Sequence, residues 1–313
     1  MRYGFGVDIF GPNIKIGFFD ETGELLDKWK LTFPTLQAGN QILPTVAEEI
    51  ENYVSRKMLF EDDIIGIGVG IPGPVNDSGT VNKCVNLGWG GFNIDRARSG
   101  LTCYRVKSSN NANLSALGEY WKGSGSKNMV FMAMNTGLGG GIVSGGSLVF
   151  GAHGGGGEIG HIIINRDEKE ACTCGRYGCA EQYCSPPGIV RVARRHLAAT
   201  KTPSVLRNVR YFDYKNVLDA ADSGDRIAKE VMDQVYDYAG QALAGVCCVS
   251  NPDTIVLGGE FCKIGQSSLA GISKAFNKYI FHANENVRFE LAALDTDACI
   301  HGAFKLVLDA FAD

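Results

Sequence analysis

The sequence contains no run of 18 apolar residues, so no stretch of it reads as a membrane-spanning helix. It carries no excess of positive charge. Against 30 Lys and Arg stand 34 Asp and Glu, a formal net charge of −4, which argues against a nucleic-acid partner. It has no apolar leader, because residues 1–8 enter a strand-like pattern at once, and no signal peptide is expected. Nothing else marks a secreted chain, so its 10 cysteines are read as reduced thiols and metal ligands in a cytoplasmic protein, not as a disulfide framework. What is present is ordinary for a globular protein: 313 residues, 45% hydrophobic and 20% charged, enough for two domains. Glycine is frequent, with 41 residues, many of them between 135 and 160.

The order of patterns describes an α/β chain. Residues 3–10, 14–20 and 24–33 predict three strands joined by short turns. Residues 44–58 predict a helix, with Pro44 acceptable in its first turn. Residues 64–75 form an apolar run of the kind seen in buried parallel strands. A strand over 102–109 and a helix over 114–121 follow, and residues 123–127 make a polar break. Beyond it, 129–134 predicts a strand, 135–141 a glycine turn and 142–146 another strand, a weak echo of the amino terminus. Helices are expected at 185–199, 214–223, 226–249 and 298–311, and strands at 253–260 and 288–294.

The densest chemistry lies between Gly154 and Glu181. Cys172, Cys174 and Cys179 fall within eight residues, separated by glycines that permit tight turns. His161 lies just upstream, so one imidazole and three thiolates make a plausible closed tetrahedral zinc site. The alternative is three free thiols in a surface loop. Two carboxylates, Glu158 and Glu181, flank the cluster, and by themselves they read equally as solvated surface charge.

These two elements, Glu158-Ile-Gly-His161 and Cys172-Thr-Cys-Gly-Arg-Tyr-Gly-Cys-Ala-Glu181, resemble the signature of the ROK family of sugar kinases and repressors, most of all its glucokinases. The resemblance covers the whole chain. It implies an α/β, two-domain actin-like ATPase (ribonuclease H-like) fold with an interdomain cleft. The expected domains are 1–122, with a helix at about 298–313 packing back on it, and 123–297, which carries the knuckle. It implies structural Zn²⁺ on His161, Cys172, Cys174 and Cys179, a hexose contacted by Asn86, Asn110, Glu158, His161 and Glu181, and ATP with Mg²⁺ beside it. Its phosphate turns correspond to Asp8 and Gly11, to Thr136, Gly137, Gly139 and Gly140, and to Gly258 and Gly259. A homodimer is expected from the family. The family's repressors carry a helix-turn-helix ahead of the first strand, so a repressor is not expected here.

The chain departs from that pattern in four places. The family's catalytic base is an aspartate, and Asn111 stands at its position; an amide accepts no proton at neutral pH. Pro12 replaces a threonine in the first phosphate turn and removes one backbone N–H. Glu260 follows Gly258-Gly259 where a third glycine is usual, placing a carboxylate near an anionic ligand. Residues 298–302 are bulkier than usual. Two readings stay open: a glucokinase-like enzyme phosphorylating a hexose, glucose at O6 being the first choice, or a sugar-binding pseudokinase.

Overall fold

The computed structural model describes residues 1–32, 39–81, 84, 87–96, 102–123 and 126–312. Its strands are β1 (Tyr3–Phe10), β2 (Asn13–Asp20), β3 (Leu25–Thr32), β4 (Ile64–Ile71), β5 (Thr80–Val81), β6 (Phe92–Asn93), β7 (Val106–Asn110), β8 (Met129–Met134), β9 (Leu138–Ser144), β10 (Ser147–Leu148), β11 (Thr254–Gly259) and β12 (Arg288–Leu291). Its α-helices are α1 (Gly39–Arg56), α2 (Asn111–Lys122), α3 (Glu181–Cys184), α4 (Pro186–Ala199), α5 (Tyr214–Asp222), α6 (Arg226–Ser250), α7 (Glu260–Ile264), α8 (Gln266–Phe276) and α9 (Ala298–Phe311).

Two five-stranded sheets organise the chain, one in the order β3-β2-β1-β4-β7 and the other β10-β9-β8-β11-β12. In the first, β1–β2 and β2–β3 are antiparallel, whereas β1–β4 and β4–β7 are parallel. In the second, β9–β10 is antiparallel, and β8–β11 and β11–β12 are parallel. The weak sequence echo therefore corresponds to a repeated strand order.

The chain divides into one compact unit of Met1–Lys127, Gly141–Gly157 and Thr296–Asp313, and another of Asn128–Gly140 and Glu158–Asp295, the division falling inside β9. Segment 141–157, grouped with the second domain on sequence, belongs to the first unit. Its hairpin packs on α2, where Gly141 lies against Ala116 and Gly146 against the Tyr120 ring.

The first unit is built on glycine. One face of its sheet carries Phe5, Val7 and Ile9 into an apolar core with Ile50 and Tyr53 of α1. The other face presents Gly4 and Gly6 on β1 and Gly66, Gly68 and Gly70 on β4. A Cβ at Gly6 or Gly68 would strike the backbone carbonyl of Ile300 or Ala303, so α9 rests directly on the sheet. Gly302 and Gly118 let α9 and α2 approach in the same way.

Several expected boundaries move for local reasons. Helix α1 starts at Gly39, so Pro44 lies inside it and removes one backbone donor beyond the first turn. Residues 102–105 precede strand β7. Helix α2 starts at Asn111, because the Asn110 side chain caps it by accepting from the backbone N–H of Ala112 and Asn113. Gly139 and Gly140 lie in strand β9, which leaves Asn135, Thr136 and Gly137 as the turn. Helix α8 had no counterpart in the sequence reading.

Candidate functional site

In the second unit, the knuckle is folded by its own backbone. The Cys172 N–H donates to the Arg176 carbonyl at 2.7 Å, and the Gly175 N–H to the Cys172 carbonyl at 2.8 Å. Gly175 and Gly178 take φ of +84° and +77°, the left-handed region that suits glycine. At Gly178 a side chain would also strike the Asn165 carbonyl. Gln182 pins the turn, its Oε1 accepting from the N–H of Gly178 at 2.8 Å and of Cys179 at 3.1 Å, while its Nε2 donates to the Glu170 carbonyl at 2.9 Å. Behind it the buried Glu168 accepts from Tyr183 Oη at 2.6 Å and from both terminal nitrogens of Arg195 at 2.8 and 2.9 Å. Arg195 foremost holds that carboxyl well below the usual range.

The four donors of His161, Cys172, Cys174 and Cys179 lie within 4.8 Å of one another, a set that could hold a metal ion. A tetrahedral ion with metal–sulfur bonds of about 2.3 Å requires sulfur–sulfur edges of about 3.7 Å and slightly shorter sulfur–nitrogen edges. Cys174 Sγ and Cys179 Sγ are 3.7 Å apart, and Cys172 Sγ is 3.8 Å from His161 Nδ1. Burial and the adjacent Cys174 push the Cys179 thiol up to about 12, so a thiolate there calls for a cation. The residues present therefore fit a closed thiolate–imidazole site.

The same fold places the two acids. His161 directs Nδ1 at the sulfurs, and its Nε2 lies 3.9 Å from Glu158 Oε2, beyond direct hydrogen-bond range. Burial pushes the Glu158 carboxyl up; His161 opposes the rise and Glu181 adds to it. Glu181 begins α3. Its Oε2 accepts from the Leu138 N–H at 3.0 Å and its Oε1 from Thr173 Oγ1 at 3.2 Å. A Cβ at Gly137 would occupy the space of this carboxylate, so Gly137 is needed as much for Glu181 as for the turn. The exposed Asn135 and Thr136 complete that turn. Beside it ends β11, in register Gly259 with Met134. Gly259 adopts a φ of +65°, and a Cβ there would meet the Met134 carbonyl. Glu260 follows, its carboxylate accepting from Tyr214 Oη and, at 2.6 Å, from Lys263 Nζ.

In the first unit, Asp8 is buried on β1, opposite Lys15 of β2 and in register with Gly70 of β4. Burial pushes its carboxyl up to about 6, opposed by the Cys299 thiol and by Lys15. Asp8 Oδ1 is buried with no hydrogen-bond partner among the described residues. Gly11 and Pro12 form the two-residue loop between β1 and β2. Gly11 has a φ of +63°, and proline cannot take positive φ, which makes this the type II′ hairpin loop. At β7, Asn110 Nδ2 donates to the Gly73 carbonyl at 3.2 Å while Oδ1 caps α2, leaving one side-chain N–H for other partners. Asn111 opens α2, half-buried, its amide making no hydrogen bond among the described residues. Asn86 lies outside the described residues.

Sequence reasoning missed Thr173 and Gln182, which lie within the singled-out stretch. It also missed Lys15, Cys299, Tyr214 and Lys263, whose partners are set by strand register or by distant chain segments.

Comparison with known proteins gives the fold and the family of the chain. The solved structures that the chain resembles are sugar kinases and regulators of one class, with the two-domain actin-like ATPase fold. One is a glucokinase of the ROK family from Streptomyces griseus in complex with glucose and AMPPNP: TM-score 0.76, 29% identity, 97% of this chain and 98% of that one. The glucokinase of Halalkalibacterium halodurans is 35% identical over 98% of this chain and 95% of its own length. The xylose repressor of Caldicellulosiruptor bescii is 27% identical over 97% of this chain and 77% of the repressor. The ROK family model matches residues 4–310, and the chain belongs to the ROK family. No helix among the described residues is long and apolar enough to cross a membrane.

Proposed function

We propose that this chain is a glucokinase-like sugar kinase of the ROK family, built to phosphorylate a hexose at its primary hydroxyl from ATP, with turnover held down by Asn111. The observation that carries the reading is the knuckle, whose four donors lie within 4.8 Å of one another with Glu158 and Glu181 beside them. Zinc is the ion that this donor set suits, as a structural crosslink. With Nδ1 on the metal, Nε2–H of His161 is fixed as a donor to a sugar hydroxyl, and the two carboxylates act as acceptors. Asn110, through its remaining N–H, and Asn86 are the further sugar contacts.

ATP and Mg²⁺, when bound, supply the γ-phosphoryl group and neutralise its charge. Asp8 fits the cation side through its unpartnered Oδ1, beside Gly11. Thr136 and Gly137 supply turn amides, with Gly139, Gly140, Gly258 and Gly259 behind them. Asn111 hydrogen-bonds the attacking hydroxyl and takes no proton from it, a loss of roughly 10²–10⁴-fold in rate. The protein is expected to work as a cytoplasmic homodimer.

Asn111 and Pro12 favour a second reading, a pseudokinase that binds a hexose without transferring phosphate. The discriminating experiment is Asn111→Asp assayed with ATP and glucose. A rise in phosphorylation of at least ~10²-fold supports the kinase. An inert variant that still binds glucose supports the sensor.

A further inference from the structure

Glu260 is the feature of the second unit that the kinase reading leaves unused, and at first sight it opposes that reading. It stands where the parallel strands β8 and β11 end side by side, next to the turn of Asn135, Thr136 and Gly137. Ligands of open α/β sheets gather outside such carboxyl ends. A bare carboxylate there would repel a polyphosphate.

The carboxylate is not bare. Lys263 Nζ donates to Oε1 at 2.6 Å, and Tyr214 Oη, from the start of α5, donates to Oε2. The ammonium offsets its charge locally. Burial pushes the Glu260 carboxyl up, but Lys263 and Tyr214 outweigh it and the group stays ionised. Burial and Glu260 together push the Tyr214 phenol up, so it remains a donor. An ionised carboxylate has about four lone-pair sites, and Lys263 and Tyr214 take two of them. What remains is a pair of acceptor positions beside an ammonium that offsets the charge. A pair of neighbouring hydroxyls suits this arrangement and a phosphate does not.

We infer that Glu260, clamped by Tyr214 and Lys263, accepts hydrogen bonds from the vicinal hydroxyls of the ribose of the phosphoryl donor and so makes this chain selective for ribonucleotides. The inference rests on the kinase reading. An acidic residue serves ribose hydroxyls in the same chemical way in dinucleotide-binding folds. Glu260 thereby changes from an obstacle near the phosphates into a contact on the nucleoside.

The test is calorimetry of the full-length, metal-loaded chain with glucose present, titrated with the Mg²⁺ complexes of ATP and 2′,3′-dideoxy-ATP. Hydrogen bonds to a charged group predict that ATP binds about ten- to a hundredfold tighter than the dideoxy compound. In Glu260→Ala the two should bind within about twofold of each other, with the dideoxy affinity unchanged, and Tyr214→Phe should fall between. A purely structural clasp between α5 and α7 would lower the melting temperature and leave the ratio intact. A wild-type chain that binds both nucleotides alike overturns this inference alone. One that binds neither overturns it together with the kinase reading. Should Glu260→Ala fail to fold, Tyr214→Phe carries the same test: a ratio that falls supports the ribose contact, and an unchanged ratio overturns it.

Discussion

The two five-stranded sheets share one strand order and differ in the loop that follows the first strand of each. After β1 comes the two-residue loop Gly11-Pro12, tight and short of one amide. After β8 comes Asn135-Thr136-Gly137, one residue longer, with the Asn135 N–H closing it onto the Gly137 carbonyl at 3.0 Å. The second loop keeps its amide donors, and Gly137 also makes room for Glu181. The same asymmetry holds for the side chains. The second unit has the complete knuckle and both acids, whereas the first has an amide at 111 and a proline at 12. On the proposed reading, the repeated backbone frame holds the metal ligands and both acids in its second unit and the departures at 12 and 111 in its first. A Cβ at Gly6 or Gly68 would strike a backbone carbonyl and one at Gly137 the Glu181 carboxylate, whereas one at Gly11 would meet nothing within 4 Å.

The largest expected effect is removal of the metal. Structural zinc contributes about 10–16 kcal/mol in small zinc domains. Cys179→Ser should lose stoichiometric metal and all measurable hexose binding. Backbone exchange should rise across 158–184 and remain slow in β1 and β4 of the first unit. Elemental analysis showing full metal content with glucose affinity intact in this variant would break the comparison at its strongest point. Next comes Asn111→Asp, with a gain in glucose phosphorylation of ~10²–10⁴-fold, or roughly 3–5 kcal/mol of barrier. Its metal content should not change. A carboxylate at the first position of α2 should also cost no stability, since helix N-termini favour negative charge.

Most strands were legible because alternation and buried apolar runs mark them directly, and the knuckle was legible because its ligands lie within one short stretch. Other features depend on chain segments that meet only on folding. The clamp on Glu260 comes from Tyr214, 46 residues away. The surroundings of Asp8 depend on the β1–β2 register that brings Lys15 opposite it, and on α9 bringing Cys299. The seating of α9 had a signal in the sequence, glycine at alternate positions in β1 and β4, which marks close backbone approach. The early start of α2 had one too, in Asn110 as a capping residue. The glycines at 139 and 140 misled, because glycine promises a turn and here the strand ladder holds them.

Asp8→Asn should act oppositely on stability and on activity. The folded-state pKa of Asp8 is raised from 3.8 to about 6, so the native chain holds this proton more tightly than the unfolded chain. Stability from this group is present below about pH 4 and is lost as pH rises through about 6. Charging it in its buried site costs on the order of 3 kcal/mol at pH 8. Asn carries no such charge, so Asp8→Asn should unfold at higher urea than the parent at pH 8 and lose that difference near pH 4. Any phosphotransfer gained in the Asn111→Asp background should be abolished by it. A variant less stable than the parent at pH 8 would show that the first unit needs this carboxylate for folding rather than for a ligand.

The smallest expected effect is that of Pro12→Thr, and it probes the loop comparison directly. The change restores one backbone N–H and one hydroxyl to the first turn. It also removes a residue that stiffens a two-residue hairpin, where proline lowers the entropy of the unfolded chain. The two consequences have opposite sign. Nucleotide affinity should rise by a few-fold, the worth of one added hydrogen bond of about 1 kcal/mol. Stability should fall by up to about 1 kcal/mol. On the proposed reading, which sets the phosphates and not the sugar at this turn, the affinity change should appear for ATP and not for glucose. A Pro12→Thr chain whose ATP affinity is unchanged while its stability drops would mean that the first loop serves as a hairpin only, and that Thr136 and Gly137 carry the amide contacts to phosphate without it.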